Sequence, residues 1–241
     1  MTTAMMLAFF LNALWWLVVT IPLLKNYHQT NYVELPDHPI KNSFKRLAVT
    51  LRDIKKHKNI FLYLLSFFFF IDGVYTIIEM ATAYGSALGL DSQGLLLALL
   101  VTQLVAFPCA LIFSVLSKKF DTDFLIKICI AAYTGIALFA IQLDKQWEFW
   151  LLAVLVGMFQ GAIQALSRSY FAKIIPAEKS GEYFGIYDIC GKGASFFGTF
   201  LVSFISQLSG STNAGVGSLS VMFLLGFFFF GQASKYQTNR K

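Results

Sequence analysis

Charge is scarce in this chain. Only 13% of its 241 residues are Asp, Glu, Lys or Arg, whereas 57% are hydrophobic, and mean hydropathy is +0.64. Soluble domains carry about 25% charge, so a water-soluble globular fold is excluded. Cysteine is almost as sparse. Cys109, Cys129 and Cys190 lie in apolar stretches without pairing or metal-ligand spacing. They read as small buried hydrophobes rather than as a disulfide framework or a metal centre. The three histidines, His28, His38 and His57, have no ligand spacing either. There is no H-E-x-x-H, no glycine-rich phosphate loop and no G-x-S-x-G, so neither catalytic nor cofactor chemistry is indicated, and the pattern argues against ATP-driven pumping by this chain. The first apolar run lacks a basic segment before it and an A-x-A-like end after it, so it reads as a retained helix and not as a cleaved leader.

What fills the chain is long apolar runs. A bilayer core takes about 20 apolar residues per helix. Seven runs qualify, at about 4–24, 59–87, 93–117, 124–142, 148–170, 182–208 and 215–234. The expected fold is all-α, a polytopic helical membrane protein. Its divisions are a first spanning helix at 1–24, a basic loop at 25–58 and a six-helix bundle at 59–241. In a soluble protein the net charge of +6 would suit nucleic acid; here its placement speaks of topology instead, with the lipid bilayer as partner. Counted by side, 17 Lys and Arg fall on one side of the alternating spans, Lys145 alone on the other, and Lys192 inside a helix. The positive-inside rule then puts the amino terminus outside and the carboxyl terminus in the cytoplasm. The short loops and the absence of an organelle-targeting segment favour a bacterial inner membrane.

Within the long loop, Phe44, Leu47, Leu51 and Ile54 form one apolar stripe among Lys and Arg. Such a stripe suits an amphipathic helix on the anionic inner leaflet, or alternatively a solvated linker helix. The preceding stretch, 26–42, reads as an irregular connection.

Several polar residues sit where hydrocarbon would penalise them. An ionised carboxylate at a bilayer centre costs roughly 2.5–3.5 kcal/mol. Asp72 and Glu79 are seven residues apart in FFFFIDGVYTIIEMATAYG, about two helical turns, and so share a face. They are expected to point to a protein interior or a water-filled cavity and to bind an ion or a solute, with Gly73 weakening the helix beside Asp72. Gln160 and Gln164, four apart, are further candidates for solute contact, as is Tyr187. Asp188 and Lys192 are also four apart, in the favourable acid-before-base order. They are expected to form an internal charge pair, either structural or switching during transport. Arg168 reads as a topology anchor that could partner an acid nearby. Gly157, Gly161 and Ala165 form a small-residue ridge for close helix packing.

The segment QALSRSYFAKIIPAEKSGEYFGIYDICGK, residues 164–192, resembles the loop and helix between spans ten and eleven of the major facilitator superfamily. More narrowly, it is similar to the UMF1 group, relatives of autophagy-linked vacuolar amino-acid effluxers. FFFFIDGVYTIIEMATAYG resembles the start of the carboxyl half in that group. SVLSKKFDTD stands where these transporters repeat a short basic motif, but carries Ser114 and Ser117 in place of its usual residues. The resemblance implies half of a major-facilitator fold plus one helix, with residues 4–24 as span six. It implies secondary transport of a small-molecule solute, amino acids by analogy, between two bundles. A separately encoded amino-terminal half, or a second copy, would then be needed as partner. The competing expectation is a non-transporting remnant or a structural subunit of a membrane assembly.

Overall fold

A computed structural model describes residues 2–28, 38–87 and 89–238. All regular structure among them is helical. The chain divides into two units, Met1–Ser43 and Phe44–Lys241.

The first unit contains helix α1, Thr2–Asn26. Its surface is apolar all round, with Phe9, Phe10, Trp15 and Trp16 each more than 60% exposed. That pattern belongs to a helix solvated by lipid rather than by water. Of the irregular connection expected at 26–42, residues 29–37 lie outside the described residues, as do Arg240 and Lys241 of the charge count; residues 39–42 are helical, contrary to that expectation, because the apolar stripe's helix begins before Phe44. Helix α2, Pro39–Lys56, begins in this unit and continues into the next.

The second unit is a bundle of six long helices: α3 (Lys58–Ala87), α4 (Ser92–Leu116), α5 (Thr122–Phe139), α6 (Gln146–Ile174), α7 (Ser180–Ser209) and α8 (Thr212–Thr238). At 18 to 30 residues each, or up to 33 with flanking 3₁₀ turns, all six are long and apolar enough to cross a membrane, and with α1 they make seven. Local chemistry sets their ends. The Asp91 carboxylate accepts the Gly94 N–H at 2.9 Å and starts α4. The Glu148 carboxylate accepts the N–H groups of Asp144 and Lys145 at 3.0 and 3.3 Å and starts α6. Gly210, at φ 68°, stops α7 in the left-handed conformation that glycine tolerates.

Helices in lipid gain little from hydrophobic sorting, so packing and interhelical hydrogen bonds hold them together. The core runs along α3, which packs on α8 and α7. The Ser66 hydroxyl donates to the Gly226 carbonyl of α8 at 2.6 Å, and the Tyr63 hydroxyl to the Ser167 carbonyl of α6 at 2.7 Å. Around them Tyr63, Phe67, Tyr170, Phe171 and Phe230 form a continuous aromatic cluster. The small-residue ridge of α6 faces α4, where a β-carbon at Gly157 would lie 2.6 Å from the Thr102 carbonyl oxygen.

Helix α2 forms where the stripe demanded it, but its apolar face is shared. Ile54 is buried, Leu47 is half-buried and Thr50 is buried, whereas Phe44 and Leu51 stay exposed. Thr50 donates to Glu182, and Lys179 bridges Asp53 at 3.3 Å, so this part of α2 is tied to the start of α7.

Candidate functional site

Helices α3, α6 and α7 enclose a cleft of about 640 Å³. Helix α3 contributes Phe67, Ile71 and Tyr75, a stripe of four-residue steps that keeps them on one face. Helix α6 contributes Gln164 and Arg168 by the same step. Helix α7 contributes Tyr187, Asp188, Gly191 and Lys192. Five of the residues singled out in the sequence, Gln164, Arg168, Tyr187, Asp188 and Lys192, are therefore gathered in one place.

The charge arrangement differs from the expected one. Asp188 does not pair with Lys192. It accepts from Arg168 of α6 at 3.3 Å, and among the described residues no carboxylate lies within ion-pair distance of Lys192. The helix-internal spacing permits the Asp188–Lys192 pair, but the guanidinium arriving from the adjacent helix takes the acid. Arg168 is therefore more than a topology anchor. Its guanidinium also lies 4.9 Å from the Phe184 ring centre and 6.0 Å from that of Tyr187. These rings orient it by cation–π attraction. Tyr187 is itself fixed, stacked on Phe67 at 4.0 Å and on Phe171 at 4.9 Å between ring centres.

The side chains of Arg168 and Asp188 remain 58% and 46% exposed. In water an exposed pair of this kind contributes about 0–1 kcal/mol, so where the cleft is wet a bound group can replace either partner at low cost. Two cations and one acid leave the cleft with an excess positive charge. The arrangement can accept a carboxylate at Arg168 and Lys192 while Asp188 takes an ammonium.

The remaining candidates lie elsewhere. Asp72 is wholly buried between α3 and α7 and does not line the cleft. One of its oxygens accepts the Gly198 N–H at 3.0 Å; the other has no partner among the described residues. Glu79 is exposed, although it shares a helical face with Asp72, because α7 covers α3 at Gly198. The weakening expected at Gly73 produces no break: α3 runs through it, and the missing side chain makes room for the Phe223 ring, 2.6 Å from where a β-carbon would sit.

Gln160 parts from Gln164. It lines a separate interior cavity of about 80 Å³ to which all six helices contribute, together with Thr76, Thr102 and Gln103. The Gln160 side-chain oxygen and the Thr76 hydroxyl are buried there without partners among the described residues. Thr76 was missed in the sequence, although a hydroxyl one turn after an intramembrane acid is a usable signal. No group of three or more metal-binding side chains occurs among the described residues.

Comparison with known proteins agrees with this architecture. The profile of the family described as Vacuole effluxer Atg22 like matches residues 1–238. A protein named Uncharacterized MFS-type transporter YxiO, from Bacillus subtilis (strain 168), is 44% identical over 225 residues, 93% of this chain and 53% of its own length. Autophagy-related protein 22 of Coccidioides immitis (strain RS) is 25% identical over 93% of this chain and 42% of its own length. For autophagy-related protein 22-1 of Aspergillus niger the values are 25%, 93% and 40%. The chain thus spans about half the length of the curated relatives it matches, and their names are those of transporters and autophagy-related proteins, not of enzymes. Seven membrane-length helices and a family match over nearly the whole sequence establish that this chain belongs to the Atg22-like vacuole effluxer family.

Proposed function

We propose that the six helices α3 to α8 form one of the two bundles of a secondary transporter, and that the α3–α6–α7 cleft is this bundle's share of the solute site. The observation carrying this reading is the partly exposed Arg168–Asp188 pair, with Lys192 beside it, in a cleft otherwise walled by aromatic, aliphatic and small side chains and Gln164. In transporters of this architecture the solute lies between two bundles that rock against each other. The names of the relatives support movement of a small solute. The charges of the cleft favour one carrying a carboxylate, with or without an amine, which includes amino acids. Asp72 and Glu79 remain candidate ion-binding acids on α3, Asp72 through its free oxygen and Glu79 from the surface. The basic ends of the bundle, with α2, lie on the cytoplasmic side of a bacterial inner membrane. An amino-terminal bundle completes the cavity.

The test is flux of labelled amino acids in vesicles containing the protein, alone and with an amino-terminal bundle, driven by a proton or sodium gradient. Arg168→Gln and Asp188→Asn each lower flux at least tenfold while insertion is unchanged. Flux that persists undiminished in both variants removes the cleft from the mechanism. Stable insertion with no gradient-driven flux in any combination supports a structural subunit instead.

A further inference from the structure

Two apolar grooves flank Phe61 at the start of α3. One, of about 250 Å³, lies between α2, α3 and α7 and is lined by Leu51, Ile54, Leu65, Phe68 and Ile186, with Lys55 as its cation. The other, of about 380 Å³, lies between α3 and α8 and is lined by Leu62, Phe228, Phe229 and Tyr236, with Lys58 as its cation. Phe61 lines both. From Phe61 to Phe68 the first groove follows α3 for about 10 Å, at about 1.5 Å per residue.

Lys55 and Lys58 are three residues apart, on either side of the break between α2 and α3 at His57. Their neighbours are engaged: Lys56 and Lys179 both bridge Asp53. Lys55 and Lys58 have no carboxylate within ion-pair distance among the described residues.

We propose that this corner binds one diacyl anionic phospholipid, with its phosphate between Lys55 and Lys58 and one acyl chain in each groove, straddling Phe61. The charges choose the occupant. Two lysines above two hydrocarbon-lined channels complement a phosphate above two chains. A second copy of this protein would bring its own lysines against these. The docking of α2 through Asp53 and Thr50 holds the first groove open, so the site belongs to the folded bundle and is not a property of a basic segment alone.

The experiment is native mass spectrometry of the purified full chain, titrated with phosphatidylglycerol or phosphatidylcholine of equal chain length. Phosphatidylglycerol is retained and phosphatidylcholine is not. Lys55→Gln with Lys58→Gln weakens retention about 25-fold, at about fivefold per basic residue, whereas Lys145→Gln at the opposite end leaves it unchanged. A second readout is Cys190, which lines the first groove: phosphatidylglycerol slows its modification by N-ethylmaleimide, followed by peptide mass. Equal retention of the two lipids, full retention by the double variant, or a dimer that ignores added lipid would each overturn the proposal.

Discussion

At the scale of single residues, the contact between Asp72 and Gly198 decides how closely α3 and α7 approach. A β-carbon at position 198 would collide with the Thr76 hydroxyl and lie 2.9 Å from the Asp72 carboxylate. Gly198→Ala therefore forces the helices apart and destabilises the bundle by about 1–3 kcal/mol, the usual range for overpacking, read as a lower midpoint of thermal unfolding in detergent. Asp72→Asn keeps an oxygen acceptor for the Gly198 N–H and leaves that midpoint near the parent's; Asp72→Leu removes the acceptor that joins the two helices and lowers it. An Asn variant as unstable as the Leu variant would show that the charge, not the acceptor, holds the contact. Asp72 was conspicuous in the sequence because an acid in an apolar run is costly. Its partner was not, because one glycine among several in α7 carries no mark of the helix it faces. The same limit hid the separation of Gln160 from Gln164: a common stripe along α6 does not reveal that one level faces the interior and the next a cleft.

At the scale of elements, α2 shows what periodicity conveys and what it leaves open. The stripe of Phe44, Leu47, Leu51 and Ile54 announces a helix with one apolar side, and the helix is there. Spacing alone cannot divide that side between protein and surroundings. Thr50, polar and outside the stripe, is buried because Glu182 receives its hydroxyl. The Lys179 ammonium, and after it Lys56, hold the Asp53 carboxyl below its ordinary value. A carboxylate depressed on folding stabilises the docked state above its unfolded value, about 3.9, and the contribution disappears as pH falls through the lower folded value. A nitroxide at Val49→Cys on α2 is accordingly immobile from neutral pH down to about 4 and gains mobility below that range. Asp53→Asn reproduces the acid behaviour at neutral pH. An unchanged spectrum in both cases would mean that apolar burial alone docks α2.

At the scale of the whole molecule, the seven spans were legible because hydrocarbon thickness imposes a length that few soluble helices reach with so little charge. Their observed bounds differ from the expected ones by a few residues, at ends where capping by Asp91 or Glu148 decides. The cleft was legible only as its parts. Arg168, Asp188 and Lys192 stood out as charges in or near spans, but the pairing across α6 and α7 depends on which helices become neighbours, and hydropathy does not contain that. The central claim is that these charges face water and solute rather than lipid. Its most direct test is labelling by a membrane-impermeant maleimide in a background with Cys109, Cys129 and Cys190 replaced by Ala. Single cysteines at Gln164, Lys192 and the exposed Leu224 of α8, which lines none of the cavities, are compared in intact membranes, with and without a candidate amino-acid solute. Labelling at 164 and 192 is rapid and suppressed by a bound solute, and is absent at 224. Silence at 164 and 192, or labelling there that no solute slows, would contradict it.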